Sequence, residues 1–404
     1  MSPAQIALDP LIKPLADKGY ELSVQHGHLL VLNVPYLDAE GRVRRGTVIT
    51  ELTLSGNTLS PPANHQVWFD GEKPCYANGH PIDAIWHSTP KVPLWLDFLP
   101  AHRFSNKPDG LSSFASYADK CLHYITILVD QAMAIDPSAT PCTYKAPTPI
   151  TEASESVFCY EDTASTRAEI LALAQKFQTD RVAIIGLGGT GSYIFDLIAK
   201  THVNEIHLFD GDRFEQHNAF RSPGAATREE LNAQVSKVHY FAENYAPMRG
   251  GIFAHETMIT EDNVKLLCAF DFVFVAIDSG PARRIICSFL QRSGIPFIDV
   301  GMDLMLDSET LGLHGTCRIT LSTPEQHDHF FGFAPTHEAA SEDLYQANIQ
   351  VADMNMLNAS LAVLRWKQYR TFYLDHTKVH QETFSIFSQS LARSVMTGVA
   401  APCD

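Results

Sequence analysis

Arg181-Val182-Ala183-Ile184-Ile185-Gly186-Leu187-Gly188-Gly189-Thr190-Gly191 is the stretch on which the reading of the whole chain turns. An unbroken β-branched apolar run of this kind, closed by glycines, predicts a buried strand over 181–185. The glycines allow a tight turn and bring backbone amides to the positive end of the next helix, expected over Ser192–Lys200. Working outward, further strands are expected at Glu205–Phe209, Phe272–Ile277, Pro296–Val300 and Leu313–Leu321. Helical patterns separate the first of these. A helix over Thr166–Phe177 leads into the first strand; a long one from Tyr345 to about Gln368 and a short β-like run near Thr383–Phe387 close the chain. Apolar strands alternating with helices describe an α/β fold with a mainly parallel sheet, covered on both faces.

Asp210 ends the second strand, 19 residues past Gly191, where an acid reaches a ribose hydroxyl. The glycine loop in this strand–helix–strand–acid setting predicts a Rossmann-like nucleotide site formed by Gly186, Gly188, Gly189, Gly191 and Asp210. The rival reading is a glycine turn that serves packing alone. Beyond Asp210 come Asn218, Arg221 and, inside an expected helix, Lys237. A nicotinamide cofactor carries only a pyrophosphate bridge and has little use for these groups, whereas a triphosphate such as ATP has: fixed cations stabilise the charge of a departing pyrophosphate. Asp278 follows another strand at the carboxyl edge of the sheet and is a natural magnesium ligand. Arg221 and Lys237 have a bland rival as solvated surface charges, Asp278 as the cap of the next helix, and Asp212 as a turn residue.

The chain has 404 residues, 45% apolar and 19% charged, enough for two or three domains with real cores. Its net charge of −16 argues against a nucleic-acid partner. The longest apolar run, around Phe270 to Ile277, is broken by Asp271 and is far too short for a membrane span. The N-terminus lacks a secretory pattern, and the 8 cysteines never come closer than 17 residues apart, so reduced thiols and a cytoplasmic location are expected. Residues 1–142 read as an α+β domain, with β-type runs at Leu29–Val34 and Gly46–Leu54 and a helix over Ser112–Ala134. Residues 143–157, in a stretch rich in proline, serine and threonine, read as a linker; 158–372 form the nucleotide domain and 373–404 a C-terminal tail.

GLGGTG at 186–191, the pair Asp210/Asp212, the Asn218-x-x-Arg221 unit, Lys237 and Ala276-Ile277-Asp278 resemble the ubiquitin-activating-enzyme superfamily and its ThiF-like adenylating domain. Over the whole chain, segments such as RGTVITELTLSG, FDGEKPCYANG, HLFDGDRFEQHNAFRSPGA and NIQVADMNMLNASLAVLRWK resemble bacterial activating proteins with a distinctive N-terminal domain. Such proteins occur in operons with ubiquitin-like proteins, conjugating enzymes and deubiquitinase-type peptidases, some acting in antiviral defence. The resemblance implies ATP- and Mg2+-dependent adenylation of the C-terminal glycine of a ubiquitin-like protein, for transfer to a conjugating enzyme, by a homodimer. It implies that the glycine loop cradles the nucleotide and Asp210 binds its ribose. Asn218, Arg221 and Lys237 would contact phosphates, Asp278 would hold magnesium, and Arg167, ahead of the first strand, would supply a further arginine. The N-terminal domain would stand as a recognition or inactive-half-like module; Cys75 and His65 within it form no catalytic constellation at a defensible spacing.

Two departures from the family pattern stand out. No Cys-x-x-Cys pair exists, so no structural zinc is expected. The crossover segment 322–346, where thioester-forming relatives carry their nucleophile, contains no cysteine. Three readings follow: adenylation with direct hand-over, a cysteine elsewhere such as Cys317, or a cysteine-to-alanine replacement at Ala334, Ala339 or Ala340. His327-Asp328-His329 in this segment reads as an exposed loop or, with less support, a metal site, and Phe330, Phe331 and Phe333 as packing or docking groups. Two rival functions remain: a non-catalytic scaffold that binds a ubiquitin-like protein, favoured by the missing cysteine, and an NAD-dependent oxidoreductase, favoured by the glycine loop and Asp210 alone.

Overall fold

Short runs that alternate apolar and polar residues build the first sheet. It comprises β1 (Glu21–Gln25), β2 (His28–Leu37), β3 (Val43–Glu51), β4 (Gln66–Asp70), β5 (Trp86–Ser88) and β6 (His102–Ser105). All pairs are antiparallel, in the spatial order β1-β2-β3-β4-β6-β5. The computed structural model describes residues 8–56, 58–145, 156–336 and 349–394. It divides into two units: Met1–Ser156 with Tyr160–Gln175, and Val157–Cys159 with Lys176–Asp404.

In the first unit, α1 (Tyr117–Ile135) lays Tyr117, Cys121, Tyr124, Ile125 and Leu128 against Leu29, Val31, Val48, Phe69 and Phe104 of the sheet. The helix begins five residues later than Ser112, because Ser116 is the N-cap, its hydroxyl accepting from the Asp119 amide at 3.0 Å. Leu30, Ile49 and Trp68 face the other way and pack with Leu94, Trp95 and Leu171. Within that cluster His28 is 2% exposed, lies 5.6 Å from the rings of both Trp68 and Trp95, and donates from Nδ1 to the His26 carbonyl at 2.9 Å. The helix expected over Thr166–Phe177 is three short pieces, Thr163–Arg167, Leu171–Ala174 and a 3-10 turn Gln175–Phe177. Glu169 breaks it with a left-handed φ of 56°, its carboxylate gripped by the Arg103 guanidinium at 2.7 and 3.0 Å.

The second unit is the expected Rossmann-like layer. Its strands are β7 (Arg181–Ile185), β8 (Glu205–Phe209), β9 (Ile252–His255), β10 (Phe272–Val275), β11 (Phe297–Asp307), β12 (Gly312–Ser322), β13 (Gln381–Ser385) and β14 (Ser390–Ser394), in the order β9-β8-β7-β10-β11-β12-β13-β14. The first five are parallel and the last three antiparallel. Expectation and structure differ at the far edge: β11 runs on into a long hairpin with β12, and the tail contributes two strands. Along β7, Val182 and Ile184 face one core with Ile194, Phe195, Ala359, Ala362 and Trp366, from α2 (Gly189–Ala199) and the long helix Ala352–Tyr369. Ala183 and Ile185 face the other with Ile286, Cys287 and Leu290, from α5 (Gly280–Arg292). Between them the chain forms α3 (Gln216–Ala219) and α4 (Lys237–Tyr245); the long helix is α6. The far end of α2 is held by Arg249, 1% exposed, whose guanidinium donates to the carbonyls of Ala199, Thr201 and Val203. Carbonyls at a helix C-terminus are a suitable counter-charge for a buried cation.

Register sets the site. Ile185 pairs with Phe209 on one side and Val275 on the other, so β7, β8 and β10 end level. The chain leaves β7 for β8 and returns on the opposite side as β10, a topological switch at whose crevice ligands bind. Among the described residues, no helix is long and apolar enough to cross a membrane.

One prediction follows from the first core. Burial lowers the His28 imidazole to about 4. With the folded value depressed, the unfolded chain takes up the proton first, so stability is full above about pH 6.5 and falls as pH drops toward 4. The loss by pH 5 amounts to about 2 kcal/mol for the first unit. Thermal unfolding followed by tryptophan fluorescence should show this acid slope, and His28→Gln should flatten it; an unchanged slope would clear His28 of the effect.

Candidate nucleotide-binding site

The glycines of the loop divide by what holds them. Gly186 has φ +87°, and a Cβ there would lie 2.4 Å from the Ala276 carbonyl oxygen of β10's continuation. A Cβ on Gly191 would lie 1.9 Å from the Gly186 oxygen, and one on Gly189 would meet the Asn355 side chain at 2.0 Å. These three are glycine for packing, as the bland reading held. Gly188 is not: a Cβ there meets nothing within 4 Å. It is the N-cap of α2, offers no side-chain cap, and leaves the first-turn amides of an 11-residue helix without one. Space beside uncapped amides fits a phosphate.

Asp210 is the keystone of this edge and only 4% exposed. Its Oδ2 accepts from the Leu187 amide at 2.7 Å and its Oδ1 from the Asp212 amide at 2.8 Å, joining the glycine loop to the segment after β8. Lys237, the first residue of α4, brings Nζ to 2.7 Å from Asp212 Oδ2 and 3.6 Å from Asp210 Oδ1. Lys237 is 7% exposed, so the solvated-surface alternative is overturned, and Asp212 acts as its counter-ion as well as a turn residue. Asn218 is buried at 3% and closes a capping box: its Oδ1 accepts from the Glu215 amide at 2.9 Å, and its Nδ2 lies 3.2 Å from His217 Nε2, which leaves one amide hydrogen as a donor to a ligand. Arg221 is half-buried, and its Nε is a buried donor without a hydrogen-bond partner among the described residues. An orphaned guanidinium nitrogen is what an anion would satisfy.

Asp278 lies three residues past the end of β10, exposed, and makes no hydrogen bond or ion pair among the described residues. It is not the helix cap: Ser279 is, its hydroxyl accepting from the Ala282 amide at 3.4 Å. A free carboxylate at this edge fits a hard divalent cation. Sequence reasoning missed two buried residues that hold this frame. Arg283, 4% exposed, bonds the Ile277 carbonyl beside Asp278, the Asp299 carboxylate at 2.8 Å and the Pro335 carbonyl at 2.9 Å. Asn355, fully buried, accepts from the Thr190 hydroxyl at 2.9 Å and donates to the Arg221 carbonyl at 3.3 Å. Asn355 and Asn358, three apart on an otherwise apolar helix face, were the legible signal.

Other expected residues lie elsewhere. Arg167 ends the short helix Thr163–Arg167 of the first unit, exposed. In the crossover segment, residues 337–346 lie outside the described residues, and with them Ala339 and Ala340. The described part is not the exposed loop expected: His329 is 5% exposed with Nε2 bonded to the Leu321 carbonyl, and Phe330 is fully buried against Phe297. Phe331 and Phe333 are 42% and 40% exposed, so only Phe330 belongs to the core. Among the described residues, the only acids, histidines or cysteines gathered closely enough for a metal are Asp38, Glu40 and Glu72, of which Asp38 is already bonded by Arg42 and Arg44. His327 and His329 do not form such a group. Cys317 is fully buried, and burial pushes its thiol up to about 12; burial also raises Cys75. His65 is bonded to the Ser105 hydroxyl at 2.9 Å.

The chain is 25% identical over 131 residues to the tRNA threonylcarbamoyladenosine dehydratase of Escherichia coli, covering 31% of this chain and 48% of that protein. It is 25% identical over 132 residues to a ubiquitin-activating enzyme E1-like protein of Saccharomyces cerevisiae, covering 31% of this chain and 20% of the relative. The chain thus spans about half or less of the curated relatives it matches. Similar solved structures include E. coli MccB bound to MccA-N7isoASN, at TM-score 0.47, 14% identity, 61% of this chain and 76% of that one. PaaA is another, at TM-score 0.44, 16% identity, 56% of this chain and 76% of that one. Residues 10–163 match a family described as a domain of unknown function, DUF6791. The ThiF family model matches residues 163–389, more than half of the chain, and the protein belongs to the ThiF family.

Proposed function

We propose that the chain uses ATP to adenylate the C-terminal glycine of a ubiquitin-like protein, for transfer to a conjugating enzyme. The observation that carries this reading is the orphaned Arg221 Nε, joined through Asn355 to a glycine loop whose Gly188 faces open space. A partner carboxylate oxygen attacks the α-phosphorus of ATP. The bond from that phosphorus to the oxygen bridging it to the β-phosphate breaks, and pyrophosphate leaves with the electron pair. Gly188 and the first amides of α2 bind phosphate oxygens, Asn218 donates through the amide hydrogen not directed at His217, and Arg221 and Lys237 offset the charge of the departing pyrophosphate. Asp210 fixes the loop and faces the ribose. Asp278 would hold Mg2+, which when bound supplies further neutralisation of phosphate charge. The reading carries with it a homodimer to which Arg167 contributes a further cation, and a recognition role for the N-terminal unit.

The same reading favours direct hand-over of the acyl-adenylate to a thiol of the conjugating enzyme. Thioester formation needs a thiolate. Cys317 is sealed in β12, and Ala334, 5% exposed, packs in the core beneath α5, where a cysteine would be equally sealed. Placement of the system in antiviral defence rests on the sequence resemblance.

The deciding experiment is ATP–pyrophosphate exchange with the full chain. Exchange that appears only when a ubiquitin-like protein ending in glycine is added supports the reading; no exchange with a partner shown to bind overturns it in favour of a scaffold. Asp278→Ala should lower exchange on the order of 100-fold while leaving the thermal midpoint unchanged, because Ser279 keeps the cap. Cys317→Ala should leave exchange intact, and a non-reducing gel should show no thioester on this chain. A thioester that disappears in Cys317→Ala would overturn direct hand-over.

A further inference from the structure

The loop after β7 and the turn that carries Arg221 belong to different elements, and one buried amide spans them. Asn355 sits in the first turn of α6, immediately after the crossover segment, with no exposed surface. Its Oδ1 takes the Thr190 hydroxyl of α2 and its Nδ2 takes the Arg221 carbonyl. The absence of a side chain at Gly189 lets the amide come this close. A buried amide is costly unless bonded at both ends, and here both bonds go to residues of the phosphate site. The backbone of Arg221 is thereby held while its Nε stays without an internal partner.

We propose that Asn355 is a positioning residue for nucleotide binding, holding Arg221 at a fixed place relative to the glycine loop. The proposal rests on the ATP reading above. Asn355 touches no phosphate itself; it lowers the ordering that Arg221 would otherwise undergo on binding. Losing it therefore weakens ATP binding only through Arg221.

The test is a double-mutant cycle on ATP affinity, measured by calorimetry on the full chain without any partner protein. Asn355→Ala should raise the Kd for ATP about tenfold and Arg221→Ala at least as much, and the double variant should bind no more weakly than Arg221→Ala alone. Asn355→Ser, which removes less volume, keeps the test available if Asn355→Ala fails to fold. Full additivity, or unchanged affinity in both Asn355 variants, would overturn the positioning role. Absence of ATP binding by the unaltered chain is a different result: it overturns the nucleotide reading itself, and the positioning role falls with it.

Discussion

The Gly186 carbonyl oxygen occupies the place where a Cβ of Gly191 would stand, and the geometry of the site depends on this close approach. With β7 ending level with β8 and β10, the turn out of β7 has room for backbone alone at Gly186 and Gly191. A methyl group at Gly191 would push α2 off the sheet, and one at Gly186 would strike β10's continuation at Ala276. The start of α2 is therefore pinned at the switch point. Its amides face the crevice because packing leaves them nowhere else to go. Asp210 then fixes the other side of the loop through Leu187, so a single buried carboxylate relates the ends of two strands.

Charge is arranged around this frame with its balance already met. Lys237 is neutralised by Asp212 and, at longer range, by Asp210. The Asp212 side chain is 58% exposed while Lys237 is buried, so a phosphate drawing the ammonium away must replace the Asp212 contact with its own. Asp210 stays committed to backbone amides. Arg221 stands differently, with a buried nitrogen that has no partner to give up. The two cations are thus a guarded one and an open one, and the open one depends on neighbouring packing for its position.

What the sequence made legible follows the strength of local signals. β7 and β8 were readable to the residue: β7 is an apolar run closed by glycine, and β8 sets Ile206, Leu208 and Phe209 just ahead of the Asp210 turn. The acid after β8 and the cations beyond it were singled out from their order, and the structure brings Lys237 to 3.6 Å from Asp210. The antiparallel edge was only partly readable: β13 reads Gln-Glu-Thr-Phe-Ser, whose strand character comes from pairing with β12. Asn355 and Arg283 escaped notice since their work is done on backbone carbonyls of distant segments, a relation that no spacing along the chain expresses. His329 looked like a loop residue for the same reason, being held against β12 by the Leu321 carbonyl.

The fate of the thiols follows from the same packing. Cys287 lies under the sheet on α5 and Cys317 on the face of β12 toward α6, both fully buried. Burial penalises the thiolate and raises both. A sheet that covers its two faces with helices gains its stability from that burial, and in doing so withdraws these sulfurs from chemistry. Cys287 and Cys317 are therefore poor places to hold an acyl group. At the carboxyl edge, by contrast, Arg221 Nε and the Asp278 carboxylate have no hydrogen-bond partner among the described residues.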